Sequence, residues 1–482
     1  MKLSSTFRLA PTLLLMIGTA KAQTTLTATS SGWFGNDGRN VFNGAPKLQN
    51  YIAGWDPVDF EQGILARNFF TFSLEGVSGS IVSATLNLYV PEYPQNTCSG
   101  YLSYEPSEPY QLTGTTASPD DLVQAYPPGS AEGLSLFNAL GTGTLFATTN
   151  VSSVDDGTTL HLALNAAGVD YLNSQEGNLI VLSGQDPNAP SSGPTSSDCS
   201  TCRFFFTCTD PTNSGAFIQT PRPALVLTFA PVPTITSVIS ASGFGGFSAV
   251  APGTWVEIYG SNLAPDTREW AGSDFTGNNA PTSLDGVQVT IGGQKAFVEY
   301  INSSPGQINV QLPSNIPTGG TLPVVVTNGT VSSAPVNITV NSTEPGLLAP
   351  SAFQIGGKQY AVALLPDGAT YILPPGAIAG VASRQAHPGE TITLYGIGFG
   401  GVTPSIAAGQ IETQTNQLSS PLQILFGQTQ AQISYQGLAP TFVGLYQFDV
   451  VVPAVPDSDL VPLTFNLGGT AGLQTLYTAV HQ

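Results

Sequence analysis

The feature that most limits how this chain can fold is a stretch it carries twice. Residues 252–265 read PGTWVEIYGSNLAP, and residues 388–400 read PGETITLYGIGFG. Both open on Pro-Gly, run through an alternating strand and end at Tyr-Gly plus a loop. Gly260 and Gly396 are spaced by 136 (396 − 260). The blocks that follow, DGVQVTIGGQKAFVEY at 285–300 and PLQILFGQTQAQISY at 421–435, end at Tyr300 and Tyr435, spaced by 135 (435 − 300). A third pair, QINVQLP ending at Pro313 and YQFDVVVP ending at Pro453, is spaced by 140 (453 − 313). The last strands fall within 322–340 and 461–480. Strand blocks kept intact, with length changes confined to loops, are the trace of a duplicated folded unit.

Each block reads as strand. VEIY, VQVTIGG, INVQL and VNITV alternate apolar and polar residues or are rich in Val, Ile, Thr and Tyr, with Pro, Gly and Asn between them. Short strands at this spacing predict antiparallel sandwiches. The repeated Tyr-Gly is then a strand end, where the ring closes the core and the glycine takes up a backbone angle other residues resist. The pattern Pro-Gly, strand, Tyr-Gly-x-x-Leu at Pro252–Leu263, followed by Val-x-Val-x-Ile-Gly-Gly at Val287–Gly293, resembles an IPT/TIG domain of immunoglobulin-like fold. Together the copies resemble a C-terminal module of secreted proteins of acidobacterial type. ATYILPPGAIAGVA, LYGIGFG, SYQGLAPTFVGLYQFDVVVP and FNLGG carry that likeness. It covers 232–482 and brings no catalytic residues with it. The second copy departs from the first in having a single Gly427 where the first has Gly292-Gly293.

The N-terminus has the layout of a secretory signal. Lys2 and Arg8 supply the positive region, 9–17 is a short apolar run, and Ala20-Lys21-Ala22 is a small-x-small cleavage site. The run is too short to span a membrane, so secretion without membrane insertion is expected. Cleavage after Ala22 removes three of the twelve basic residues. That leaves nine against 31 acidic residues, or −22. A surface so acidic repels nucleic acid and anionic lipid. The expected organisation is a signal peptide at 1–22, an N-terminal β-sandwich at 23–230, a first Ig-like domain at 231–342 and a second at 343–482 with a strand-rich lead-in.

Residues 23–230 also read as strands, with short helical turns expected at 119–125 and 166–173. RNFFTFSL at 67–74 and SATLNLY at 83–89, with a closing RPALVLTF, resemble the jelly-roll modules at the N-terminus of secreted bacterial proteins. Some of those are grouped with carbohydrate-binding modules. The fold class is therefore all-β: a jelly-roll-like sandwich, then two tandem IPT/TIG-type sandwiches.

All four cysteines, Cys98, Cys199, Cys202 and Cys208, lie in this first part. An even count in a secreted chain implies disulfides. Of the three pairings that four cysteines allow, Cys199–Cys202 with Cys98–Cys208 is favoured. A metal role for the CxxC lacks histidine partners, His161 being the one histidine in this half. No GxSxG, HExxH or P-loop pattern is present, so none of those chemistries has an anchor. Asp56, Asp59 and Glu61 form a candidate calcium set, since hard cations take several oxygens. Calcium is the one cofactor the pattern admits. The aromatic residues Trp33, Tyr51, Trp55, Tyr93, Tyr101 and Tyr104 are the candidate ligand contacts, because exposed rings stack on sugar faces. The long loop 264–282, with Trp270 and Phe275, is expected to pack on the neighbouring domain.

These readings point to a secreted, non-catalytic binding or adhesion protein whose partner is a polysaccharide or a surface protein. Two alternatives stand beside it. One is a structural protein of the cell envelope or matrix, which predicts buried rings and an open sheet edge. The other is a carbohydrate-active enzyme with a carboxylate pair that spacing does not reveal.

Overall fold

A computed structural model of the chain describes residues 22–42, 45–46, 51–56, 63–91, 100–103, 105–189, 202–204 and 221–482. It divides into two compact units, one ending at Pro231 and the other Val232–Gln482. Both are all-β. Among the described residues no helix is long and apolar enough to cross a membrane.

In the first unit a four-stranded sheet runs in the order Gln23–Thr27, Ala224–Phe229, Ile81–Tyr89, Thr159–Ala163. A larger sheet faces it. This one is built around Ile64–Ser73, which pairs with Ser30–Gly35, Ala53–Asp56 and Leu179–Gln185. Alternation in Ile81–Tyr89 turns Ile81, Ala84, Leu86 and Leu88 inward, and they meet Phe70, Phe72, Leu112, Ile180 and Leu182 from the opposite sheet in one core. Helices were expected at 119–125 and 166–173; they form at Pro119–Leu122 and Ala166–Ser174. A further helix, Ala131–Ala139, is capped by Ser130 Oγ, which accepts from Gly133 N at 3.1 Å.

A polar thread crosses this core. The Tyr110 hydroxyl donates to Asn68 Oδ1 at 2.8 Å, Asn68 Nδ2 donates to Tyr51 O at 3.0 Å, and the Tyr51 hydroxyl donates to Tyr89 O at 2.7 Å. All three side chains are buried, so each depends on its partner in place of water.

The second unit contains two sandwiches with the same strand pairing. In the first, Trp255–Ser261 lies beside Gln307–Gln311, which lies beside Phe297–Asn302; in the second, Thr391–Ile397 lies beside Tyr446–Val451, then Gln432–Leu438. Trp255 sits opposite Gln311, and Thr391 sits opposite Val451, the two residues that the sequence spacing aligns with that first pair. The facing sheets correspond too: Val287–Ile291 pairs with Gly320–Asn328, and Leu422–Phe426 with Ser458–Leu467. Even the irregularity recurs. A β-bulge falls between Val298 and Tyr300 in one sandwich and between Ile433 and Tyr435 in the other. The lead-in adds short strands to the second sandwich, with Gly346–Leu347 and Ala363–Leu364 both pairing with Thr391–Ile397.

Replacing Tyr110 by Phe keeps the ring but removes the donor to Asn68 Oδ1. Denaturant unfolding should show the first unit destabilised by about 1–3 kcal/mol, the cost of a buried acceptor left unpaired. An unchanged midpoint would mean the thread is not needed.

Candidate functional site

The structure corrects the expectation of an exposed aromatic strip. Trp33, Tyr51, Trp55 and Tyr101 are all buried, at 3%, 0%, 3% and 5% exposure. Trp33 packs with Ile52, Ile64 and Ala66, and Trp55 with Phe34, Leu65, Phe69, Leu122 and Phe137. The Tyr101 hydroxyl donates to Glu105 O at 2.7 Å. The physical reason is a second cover on the larger sheet. Pro119–Leu122 and Ala131–Ala139 contribute Leu122 and Phe137 to its outer face. Arg67 stacks 4.2 Å from the Phe137 ring and donates to Phe137 O at 3.0 Å, and Ser183 Oγ donates to Leu140 O at 2.7 Å. With both faces covered, the strands Ser30–Gly35 and Ala53–Asp56 bury nearly every residue. Tyr93 and Tyr104 lie outside the described residues.

Of the calcium candidates, Asp56 ends a strand and is fully buried, while Asp59 and Glu61 lie outside the described residues. Among the described residues no group of three or more His, Cys, Asp or Glu side chains is arranged to hold a metal ion. Cys98, Cys199 and Cys208 also fall outside the description. Cys202 is described only as backbone, opposite Trp55 and Ser103.

Sequence reasoning missed a carboxyl cluster in the first unit. Glu108 starts one strand and Asp186 follows the end of another; both are buried. Ser103 Oγ donates to Glu108 Oε1 at 2.7 Å, and Asp186 Oδ1 accepts from Asn188 N at 2.8 Å. Asp186 Oδ2 is buried with no hydrogen-bond partner. Burial, and then the nearby charge of Glu108, push the Asp186 carboxyl up to about 7. Burial raises Glu108 as well, against the Ser103 hydrogen bond. In the other unit burial pushes Glu299 up to about 7, with Glu269 and Glu257 adding like charge and Asn309 opposing through a hydrogen bond. Burial thus shifts all three carboxyls upward, toward the protonated form, and sequence spacing gives no sign of them.

A further polar constellation forms the seam between the two sandwiches of Val232–Gln482. Trp255 Nε1 donates to Val443 O at 3.0 Å. The Gln311 amide spans the joint: its Nε2 donates to Gly253 O at 2.9 Å and its Oε1 accepts from Gly409 N at 2.6 Å. Ala408 N donates to Ser314 Oγ at 2.6 Å. The long loop of the first sandwich meets the tip of the corresponding loop in the second. There Ala280 N donates to Gly409 O at 2.7 Å and Ile411 N to Asn278 O at 2.9 Å. Apolar contact surrounds these bonds, with Ile397, Ala439 and Leu445 packed against Phe244, Trp255, Tyr395 and Phe442. Gly409 has φ +79°, and a Cβ there would collide with the Phe297 ring. Trp270 and Phe275, ring centroids 4.9 Å apart, stack edge-on beside Trp255 in the same loop system.

The family comparison agrees with this geometry. A family model described as IPT/TIG domain matches residues 233–340. That stretch is an IPT/TIG domain. Among curated proteins, none matches the sequence of the chain. Among solved structures, a surface glycan-binding protein, PbSGBP-B from Prevotella bryantii, is 13% identical over 51% of this chain and 41% of its own length, with a TM-score of 0.16. The chain thus spans less than half of that protein. The titin I9–I11 tandem is 10% identical over 56% of this chain and 87% of its own, at 0.13. Domains 5–6 of the S-layer protein SbsC are 13% identical over 52% and 98%, at 0.17. At such TM-scores no argument about this chain rests on any of the three.

Two expectations follow. Asp186 has a folded pKa raised above its ordinary value of 3.8, so its contribution is fully present at lower pH. It is lost as pH rises from about 4 to about 7. Asp186→Asn should remove that part of the slope, and unfolding of both proteins across this window measures it. Gln311→Ala strips both bonds from the seam. It should destabilise the Val232–Gln482 unit by about 1–3 kcal/mol, read by chemical unfolding.

Proposed function

We propose that this is a secreted, non-catalytic scaffold and adhesion protein, in which the duplicated Ig-like pair of Val232–Gln482 is a rigid spacer and interaction platform at the cell surface or in the surrounding matrix. The observation that supports this most is the seam. Two sandwiches joined only by a flexible linker would swivel. Here a bridging glutamine, a tryptophan, a serine and two meeting loops tie them through hydrogen bonds with an apolar surround. Such a joint transmits orientation and load between modules instead of dissipating them. The shared strand pairing and the shared bulge support reading the second sandwich as a copy of the first.

The low charged fraction of 9% and the net charge of −22 left after cleavage suit an extracellular surface, and the signal layout at 1–22 supplies the route there. Recognition of a polysaccharide through an aromatic strip in the first unit is not part of the proposal, because four of the six candidate rings are buried. The proposal assigns the chain no cofactor and no nucleic-acid partner.

Expression of the full-length protein with its own N-terminus in a secreting bacterial host tests the reading. The expected result is a product outside the cytoplasm, cut after Ala22, that co-fractionates with the cell envelope or extracellular matrix. Retention in the cytoplasm, or a product wholly in the supernatant that no envelope fraction captures, would end it. A saccharide-specific signal on a glycan array would instead restore polysaccharide recognition as the primary role.

A further inference from the structure

The two sandwiches of Val232–Gln482 share their pairing but treat one sheet edge differently. In the first, the outer strand Phe297–Asn302 carries a further strand on its far side. Arg268 pairs with Ile301 and Glu269 with Tyr300, and Trp270 N donates to Glu299 O at 2.7 Å. Arg268 anchors this short strand by its ion pairs with Asp274 at 2.9 Å and with Asp285. The equivalent strand of the second sandwich, Gln432–Leu438, ends its sheet. Its last residue is covered: Leu438 N donates to Asn416 Oδ1 at 2.7 Å. From Gln432 to Gln436, among the described residues, only Tyr446–Val451 pairs with it. Tyr300 and Ile301 are buried beneath their extra strand, whereas the equivalent Tyr435 and Gln436 are partly exposed and Ser434 is exposed.

Natural sheet edges are usually guarded by charge, proline or a bulge. Residues 432–438, QISYQGL, contain no charge and no proline. The bulge at Ser434 is no barrier, because the matching bulge at Glu299 lies in a strand that is paired on both sides.

We propose that Gln432–Gln436 is a strand-addition site, and that its occupant is the same strand of a second copy, added antiparallel about a two-fold axis. Three observations favour this occupant. Antiparallel addition continues the pattern already set by Gln432–Leu438 and Tyr446–Val451. Joining the strand to its own copy puts no charge into the ladder, in a chain whose net charge of −22 after cleavage makes most of its surface repel itself. Each molecule offers this edge once, so the pairing closes as a dimer and does not propagate into a fibre. The inference rests on the scaffold reading and gives its platform a specific contact.

Sedimentation velocity of the full-length protein over a concentration series, at low and high salt, tests it. The expected result is a monomer–dimer equilibrium that strengthens with salt as the acidic surfaces are screened. Gln432→Lys and Ser434→Lys, both at exposed positions, should each weaken the dimer about tenfold or more while leaving the unfolding midpoint unchanged. Gln436→Pro should abolish it by removing a backbone donor that, like Leu438 N, faces away from Tyr446–Val451. Monomer at every concentration, or a dimer indifferent to the lysine variants, overturns the proposal. Envelope capture is a separate readout. A monomer that still binds the envelope defeats only the strand-addition site, and a dimer that no envelope fraction captures defeats only the scaffold reading.

Discussion

The Val232–Gln482 unit depends on one carboxamide. Gln311 sits on the outer face of its sheet, opposite Trp255 on one side and Phe297 on the other. In a lone sandwich that face would meet water. Here the amide donates within its own sandwich and accepts from Gly409 in the next, so a surface residue becomes a buried tie with 2% exposure. Once it is dry, its two bonds are obligatory, because a buried amide without partners costs more than the bonds return in water. The two glycines that face it follow from that constraint. Gly444 leaves room for the Gln311 amide and Gly409 leaves room for the Phe297 ring, and both occupy the left-handed region of backbone space. Any larger residue there would wedge the joint open.

The shared strand pairing of the two sandwiches was legible in the sequence, because length differences fall in loops and leave strand spacing untouched. The intervals between the matching blocks reappear as ladder partners: Trp255 with Gln311 becomes Thr391 with Val451, and Tyr300 becomes Tyr435 at the same side of the same bulge. Four of the six aromatic candidates are buried for an equally specific reason. Trp33 and Trp55 stand among Gly, Asn and Asp residues, a composition that reads as loop. They are in strands whose two faces are both covered, one by the sandwich core and one by helical segments. A strand covered on both sides loses the alternation that would have announced it. The helix Ala131–Ala139, which supplies much of that cover, was not anticipated, since its two buried residues, Gly133 and Phe137, leave little periodic signal.

The buried acids of the two units belong to the part that no sequence pattern discloses. Glu108 and Asp186 are far apart in the chain, and only strand pairing brings their ends together. No arginine or lysine ion pair compensates either one among the described residues. The structure accommodates them by hydroxyl and backbone donors, and by a raised proton affinity. Neutralising by protonation is the cheaper response when burial removes water and supplies no counter-ion.

The difference between the two sheet edges comes down to where two loops of nearly equal length place their residues. The loop after Ser261 runs to Gly286, and the loop after Ile397 runs to Pro421. The first uses Arg268–Trp270 to cover its own sheet edge before reaching the seam with Asn278–Ala280. The second folds into a small hairpin, Val402–Thr403 with Gln417–Leu418, and sends Gly409–Ile411 to the same seam. Its extended segment Gln417–Leu418 lies near Gln432–Leu438 but pairs with Val402–Thr403 and not with that strand. The loop that reaches the seam in the second sandwich thus contributes a hairpin where the first contributes an edge strand.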